Sequence, residues 1–381
     1  MLTLFKAQSV ITMNPSMPRA SAVLVRDGLI LEVGEPEHMQ PWLADQEYTV
    51  NEQFADSIIC PGFIDPHLHP SMAAVLLPME FITAMRWKLP WGDIEPVTTA
   101  EAFDLRMQTL NQTKTPNEPL FIWGYHQLWH GSMGKARIHQ VSEERPIIVW
   151  HRSFHELYMN DAAMSMAGID PAQIKPGMQI DIEQGHFFEV GLGFAINRLN
   201  PWILAPEQYA KGLQRLKQVV HHGGHTSIGD LATGMFNFDT EAQALAEQLE
   251  GDDVPFRTRL VVHGTRLTQG GRKPEEGPAM AEALLSHNSH RLSFARHIKL
   301  FSDGAFFSQL AQMQEPGYID GHHGEWLAAP EELERHIRAY WQAGYQIHVH
   351  VTGDLGLELT LDILQKMQDE KPRFNHGFTV E

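Results

Sequence analysis

Arg296-His-Ile-Lys-Leu-Phe-Ser-Asp303, a helical stretch from Pro330 to Ala343, and Tyr345-Gln-Ile-His-Val-His-Val351 follow one another in this 381-residue chain. The outer two are strand-length apolar runs, so together they read as strand, helix, strand. The same alternation runs on both sides. A helix from Glu207 to Val220 leads to Thr226-Ser-Ile-Gly-Asp230, and one from Thr240 to Leu249 leads to Pro255-Phe-Arg-Thr-Arg-Leu-Val-Val-His263. A helix near 278–287 precedes Arg296, and one from Gly356 to Gln368 leads to Gly377-Phe-Thr-Val-Glu381. This spacing predicts βα units around a parallel sheet, open or closed. In such sheets functional groups gather at the C-terminal strand ends. The polar residues His67, His69, Asp230, His263, Lys299, Asp303, His350 and Asp354 fall there.

The remainder of the chain reads differently. Residues 1–57 are predicted as short strands and turns. Ser21-Ala-Val-Leu-Val-Arg26, the turn dipeptide Asp27-Gly28 and Leu29-Ile-Leu-Glu-Val33 form a hairpin. Ser57-Ile-Ile-Cys-Pro-Gly-Phe-Ile-Asp65 is read as one apolar strand running into ligating residue types. Residues from about 71 to 200 are irregular, with strand candidates at Phe121–Gly124 and Pro146–Trp150, and read as an insertion or lid. Trp87, Trp91 and Trp129 in that stretch suit an apolar or aromatic side group.

Composition narrows the function classes. The net charge of −18 lacks the basic footprint that a nucleic acid or an anionic membrane requires. Cys60 is the only cysteine, so intramolecular disulfides and thiolate zinc clusters are excluded. No targeting segment or run of eighteen apolar residues is visible, and a cytoplasmic protein acting on a small molecule, with a homo-oligomer left open, is the expectation.

The 22 histidines invite a search for a metal or acid–base site. Chance alone gives about one His-x-His pair at this composition, and the chain has two, His67/His69 and His348/His350. In extended chain such residues share a face and can reach one ion. The first pair gains from its place after an apolar strand and Pro61-Gly62. Lys299 is either an exposed lysine at a strand edge or one held near a metal or carbonyl with altered chemistry. His350 is either packed in the barrel or a ligand oriented by Asp354. His221-His-Gly-Gly-His225 reads as a helix end, and Gly321-His-His-Gly324 as a flexible loop.

Pro61-Gly-Phe-Ile-Asp-Pro-His-Leu-His69, Ile298-Lys-Leu-Phe-Ser-Asp-Gly304 and Gln346-Ile-His-Val-His-Val-Thr-Gly-Asp354 together resemble the amidohydrolase superfamily, in its YtcJ-like branch. Pro146–His151, His155–Asn160 and the 185–191 stretch with Glu189 agree more weakly. The resemblance implies an α/β fold, a TIM-type (β/α)8 metallo-hydrolase barrel with strands one to six represented. It also implies a small N-terminal β-sandwich portion over 1–57, with the barrel over 58–381. His67, His69 and His350 would be ligands of one or two divalent cations, zinc by preference. Lys299 would be a carboxylated bridging ligand, with Asp303 and Asp354 behind the ligands. The family's strand-six histidine and strand-eight aspartate, its general base, have no counterpart before Glu381, so a longer parent chain is expected.

Three readings follow. The first is a metal-dependent hydrolase of an amide or related C–N bond. The second is a catalytically incomplete barrel that binds a ligand or partner. The third is a metal-free lyase or isomerase using Lys299 as a Schiff-base amine.

Overall fold

The computed structural model describes residues 1–116 and 118–381, which divide into two compact units, Met1–Ile64 and Asp65–Glu381. In the first unit, strands Leu2–Ile11, Arg19–Arg26, Leu29–Gly34 and Thr49–Ile59 form one sheet. The predicted hairpin is present, and Asp27 and Gly28 turn it with φ of 51° and 81°. Two positive φ values in succession match the twist of the flanking strands. Leu2, Leu4, Ala22 and Leu24 bury one face against Met39 and Leu43 of two short helical turns. The run read as one strand over 57–65 is two. Thr49–Ile59 pairs with the N-terminal sheet, and Phe63–Leu68 belongs to another sheet. Pro61, which has no N–H to give a ladder, falls in the break.

The second unit holds two larger sheets. One has six strands in the order Thr379–Val380, Gln346–His350, Leu292–Phe301, Arg257–His263, His225–Thr233, Phe63–Leu68. They are called here barrel strands six to one. Strands two to six pair in parallel. Strands one and six stand five steps apart, roughly 24 Å in a flat sheet at about 4.8 Å per step. Yet His67 Nδ1 on strand one lies 3.5 Å from Glu381 Oε2 just past strand six. The sheet therefore curls until its ends face each other, as in a TIM-type barrel.

Alternation divides each strand between two faces. Leu260 and Val262, Ile298 and Leu300, and Ile347 and Val349 are buried in the main core. The helix Pro330–Gln342 adds Leu333, Ile337, Tyr340 and Trp341 to the same core from one stripe. The other face carries a row of polar residues towards the strand ends. His263, Lys299, His348 and Thr379 are register partners across strands three to six, so they form one row.

The chain between strands one and two builds the second sheet. Its order is Ile180–Asp181, His186–Phe188, Glu156–Met159, Ile147–His151, Leu120–Tyr125, Glu80–Phe81. Buried Asn160 clamps this layer. Its Oδ1 accepts from Ile147 N and Ala163 N, both at 3.0 Å, and its Nδ2 donates to Ser142 O and Arg145 O. No helix among the described residues is long and apolar enough to cross a membrane.

Candidate active site

Strand one delivers His67, and His69 follows it at the start of the helix Pro70–Leu76. Asp65 Oδ1 accepts from His67 N at 3.1 Å within that strand. The two rings lie edge to face with centroids 5.1 Å apart. Burial holds the His69 ring down to about 3, with the nearby His67 and Lys299 charges adding to the effect. Burial also lowers His67. Both are therefore neutral imidazoles, the form that binds metal. His69 Nδ1 is buried and has no hydrogen-bond partner among the described residues. Such a group normally finds one.

Lys299 is fully buried, and its Nζ donates to Glu381 Oε2. Burial lowers the amine despite that carboxylate. Glu381 also accepts from His348 Nδ1 at 2.7 Å. Burial pushes the Glu381 carboxyl up, but its bonds to His348 and Lys299 prevail and hold it down at about 2. His350, on the same strand as His348, is kept neutral, at about 3, chiefly by burial. Neither Glu381 nor His348 carries a sequence signal for a role at this site. Their link to Lys299 spans 82 residues of chain and exists only after folding.

Asp303 and Asp354 take different places. Asp303 is fully buried, with Oδ1 accepting from Thr352 N at 3.0 Å and Oδ2 from Gln312 N at 2.9 Å and Gly353 N at 2.7 Å. It pins the loop that follows His350. Asp354 is exposed and accepts from Gln314 N at 2.9 Å. The partner of His350 Nε2 is Thr352 Oγ1, at 3.1 Å, rather than Asp354. The Gly321–Gly324 loop is tied down, since His322 Nε2 meets Gln309 O at 2.7 Å and His323 Nδ1 meets Met313 O at 3.1 Å.

A second set of polar residues adjoins this rim. His155 stacks on His350 at 5.8 Å, and its Nδ1 lies 3.0 Å from both oxygens of buried Glu189. A cavity of about 600 Å³ lies elsewhere, lined by Trp91, Arg106, Lys211 and Arg215 among others and by none of these histidines. The site is placed by its chemistry, because an unpartnered buried imidazole nitrogen near a buried lysine is rarer than a surface hollow.

The model of the amidohydrolase family matches residues 56–380. The chain belongs to the amidohydrolase family. Among its relatives is the exoenzymes regulatory protein AepA of Pectobacterium carotovorum subsp. carotovorum, 24% identical over 94% of this chain and 76% of that one. Another is the putative amidohydrolase YtcJ of Bacillus subtilis, 23% identical over 94% of this chain and 64% of its own length. The chain thus spans about three quarters of the first and less than two thirds of the second. A metal-dependent hydrolase from Pyrococcus horikoshii shares the fold, with a TM-score of 0.66 at 19% identity over 96% of this chain and 68% of that one. The amidohydrolase barrel explains the row of polar residues along strands three to six, which a purely structural sheet would fill with apolar side chains.

The donor chemistry fits a cation. Neutral His67, His69 and His350, an ionised Glu381 and the orphaned His69 Nδ1 are what a divalent ion would use. Among the described residues, no three His, Cys, Asp or Glu side chains are already drawn together as a ligand cage. The lysine–glutamate contact occupies the space between the rim's two ends instead.

Proposed function

We propose that this amidohydrolase is a metal-dependent hydrolase acting on an amide or related C–N bond of a small molecule. His67, His69, Lys299 and His350 would hold one or two divalent ions, with zinc favoured by the imidazole-rich donor set. The observation that carries this reading is His69 Nδ1, buried without a partner beside a second neutral imidazole. When bound, a divalent ion supplies Lewis-acid polarisation of a carbonyl and a water acidified towards pH 7.

The chain's own residues prepare that chemistry. Burial keeps the imidazoles unprotonated, so no proton has to leave before they ligate. Asp303 fixes the loop after His350 through backbone N–H groups, and so fixes where that ring sits. Lowering of the Lys299 amine by burial favours the neutral form that can take up carbon dioxide. A carbamate there would face the Glu381 carboxylate, and the two anions would repel unless cations lay between them. Carboxylation of Lys299 is thus coupled to metal uptake and to release of Glu381.

Elemental analysis of the purified protein, together with amine release from a panel of small N-acyl amines, tests the proposal. Zinc at one or two per chain is expected, with loss of both zinc and turnover in His67→Ala and His69→Ala. Full zinc content in folded variants would overturn the ligand assignment.

A further inference from the structure

His155 lies between the strands Ile147–His151 and Glu156–Met159, and its ring stacks on His350 at 5.8 Å and 30°. Its Nδ1 is held 3.0 Å from both oxygens of Glu189, whose side chain is 1% exposed. Glu189 N in turn donates to His155 O at 3.0 Å. Glu189 adopts φ 45° and ψ −109°, a conformation that costs a non-glycine residue about 1–3 kcal/mol. Gly304, just past Asp303, admits the carboxylate, since a Cβ there would collide with Glu189 Oε1. Three segments far apart in sequence therefore converge on one carboxylate–histidine pair. A buried polar pair that also holds its backbone in a costly conformation gains little over apolar packing, so stability alone explains the arrangement poorly.

The free atom points to a use. His130 and His151, in the same layer, have both ring nitrogens hydrogen-bonded. His155 Nε2 has no such bond among the described residues. In the tautomer whose Nδ1–H donates to Glu189, Nε2 carries the ring's free lone pair. We propose that His155 contacts substrate, its Nε2 accepting a hydrogen bond from the N–H of a small secondary amide, while Glu189 positions it. This deepens the hydrolase reading above and rests on it for the substrate class.

The test uses the full zinc-loaded chain with ¹⁵N-labelled histidine, the His155 signals being assigned from His155→Ala. The probes are N-benzylacetamide and its N-methyl analogue, which lacks the N–H. The proton is expected on Nδ1 of His155, and Glu189→Gln should abolish that single tautomer. N-benzylacetamide should shift the Nε2 resonance, whereas the N-methyl analogue should not. His155→Ala should weaken binding of the secondary amide about three- to tenfold, the range of one hydrogen bond, and leave the tertiary amide unchanged. Zinc content should be unaltered in both variants. A proton fixed on Nε2, equal responses to both amides, no response to either, or loss of zinc from His155→Ala would each overturn the inference. A wild-type chain that binds no zinc but shows the tautomer and the amide selectivity would support it while overturning the metal reading.

Discussion

The barrel rim and the second sheet both bury histidines, and burial lowers His67, His69 and His350 of the one and His130 and His151 of the other. On the second sheet, His130 Nδ1 accepts from His126 N at 3.0 Å and its Nε2 meets Val97 O at 2.8 Å. His151 meets Ser153 Oγ at 2.7 Å and Gln127 Oε1 at 2.8 Å, while His186 Nε2 meets Glu156 at 2.6 Å. At the rim, His69 Nδ1 is buried and unpartnered. Burial and a lowered pKa therefore do not separate structural histidines from functional ones, since His151 is lowered to about 4 and His69 to about 3 by the same cause. What separates His69 from His130 and His151 is that its Nδ1 has no hydrogen-bond partner among the described residues.

The largest effect expected from that contrast is on metal binding. His69→Ala should weaken zinc binding by at least about 100-fold, beyond the 10- to 100-fold typical of removing a ligand's supporting partner. His130→Leu should leave zinc affinity, read by competition with a chelating dye, unchanged. Equal losses from the two would break the comparison.

Stability should show the reverse order. Asn160→Ala strands two buried N–H donors and two carbonyls on the second sheet, and should cost about 3 kcal/mol in urea unfolding without altering zinc content. Asp303→Ala should cost about 2 kcal/mol, because Thr352, Gly353 and Gln312 lose their acceptor, and should also lower zinc affinity through His350. A mutant that is destabilised but binds zinc normally would separate the loop clamp from the site.

Acid gives the smallest effect. His69 and His350 ionise near 6.5 in the unfolded chain but only at about 3 when folded, so the unfolded state binds more protons between those values. Stability of metal-free protein should fall as pH drops below 6.5, by roughly 1 kcal/mol per ring at pH 5.5. Glu381, at 4.5 unfolded and about 2 folded, adds a further loss as pH falls through that window. His350→Gln should flatten the first part of the curve.

The barrel strands and helices were legible because apolar spacing switches between period 2 and period 3.6 in 203–381, and each unit pairs with its chain neighbour. The second sheet was harder to read. Glu80–Phe81 is two residues long and pairs with Leu120–Tyr125 across some forty residues, so local patterning carries little signal for it. His67 and His69 stood out through i, i+2 spacing at a strand end. His155 and Glu189 entered only as weaker agreement with the family, and Glu381 only as the end of a strand, none with a role, since their meaning lies in contacts spanning 34 and 82 residues. Asp354 was assigned to His350 by nearness in sequence, and the chain turns it outward to Gln314.

Diffraction at the zinc absorption edge, from crystals of the zinc-loaded chain, tests the central claim most directly. An anomalous peak beside His67 and His69 is predicted, with none at His130, His151 or His186. A peak confined to the Glu156–His186 pair, or no peak at the rim, would contradict it.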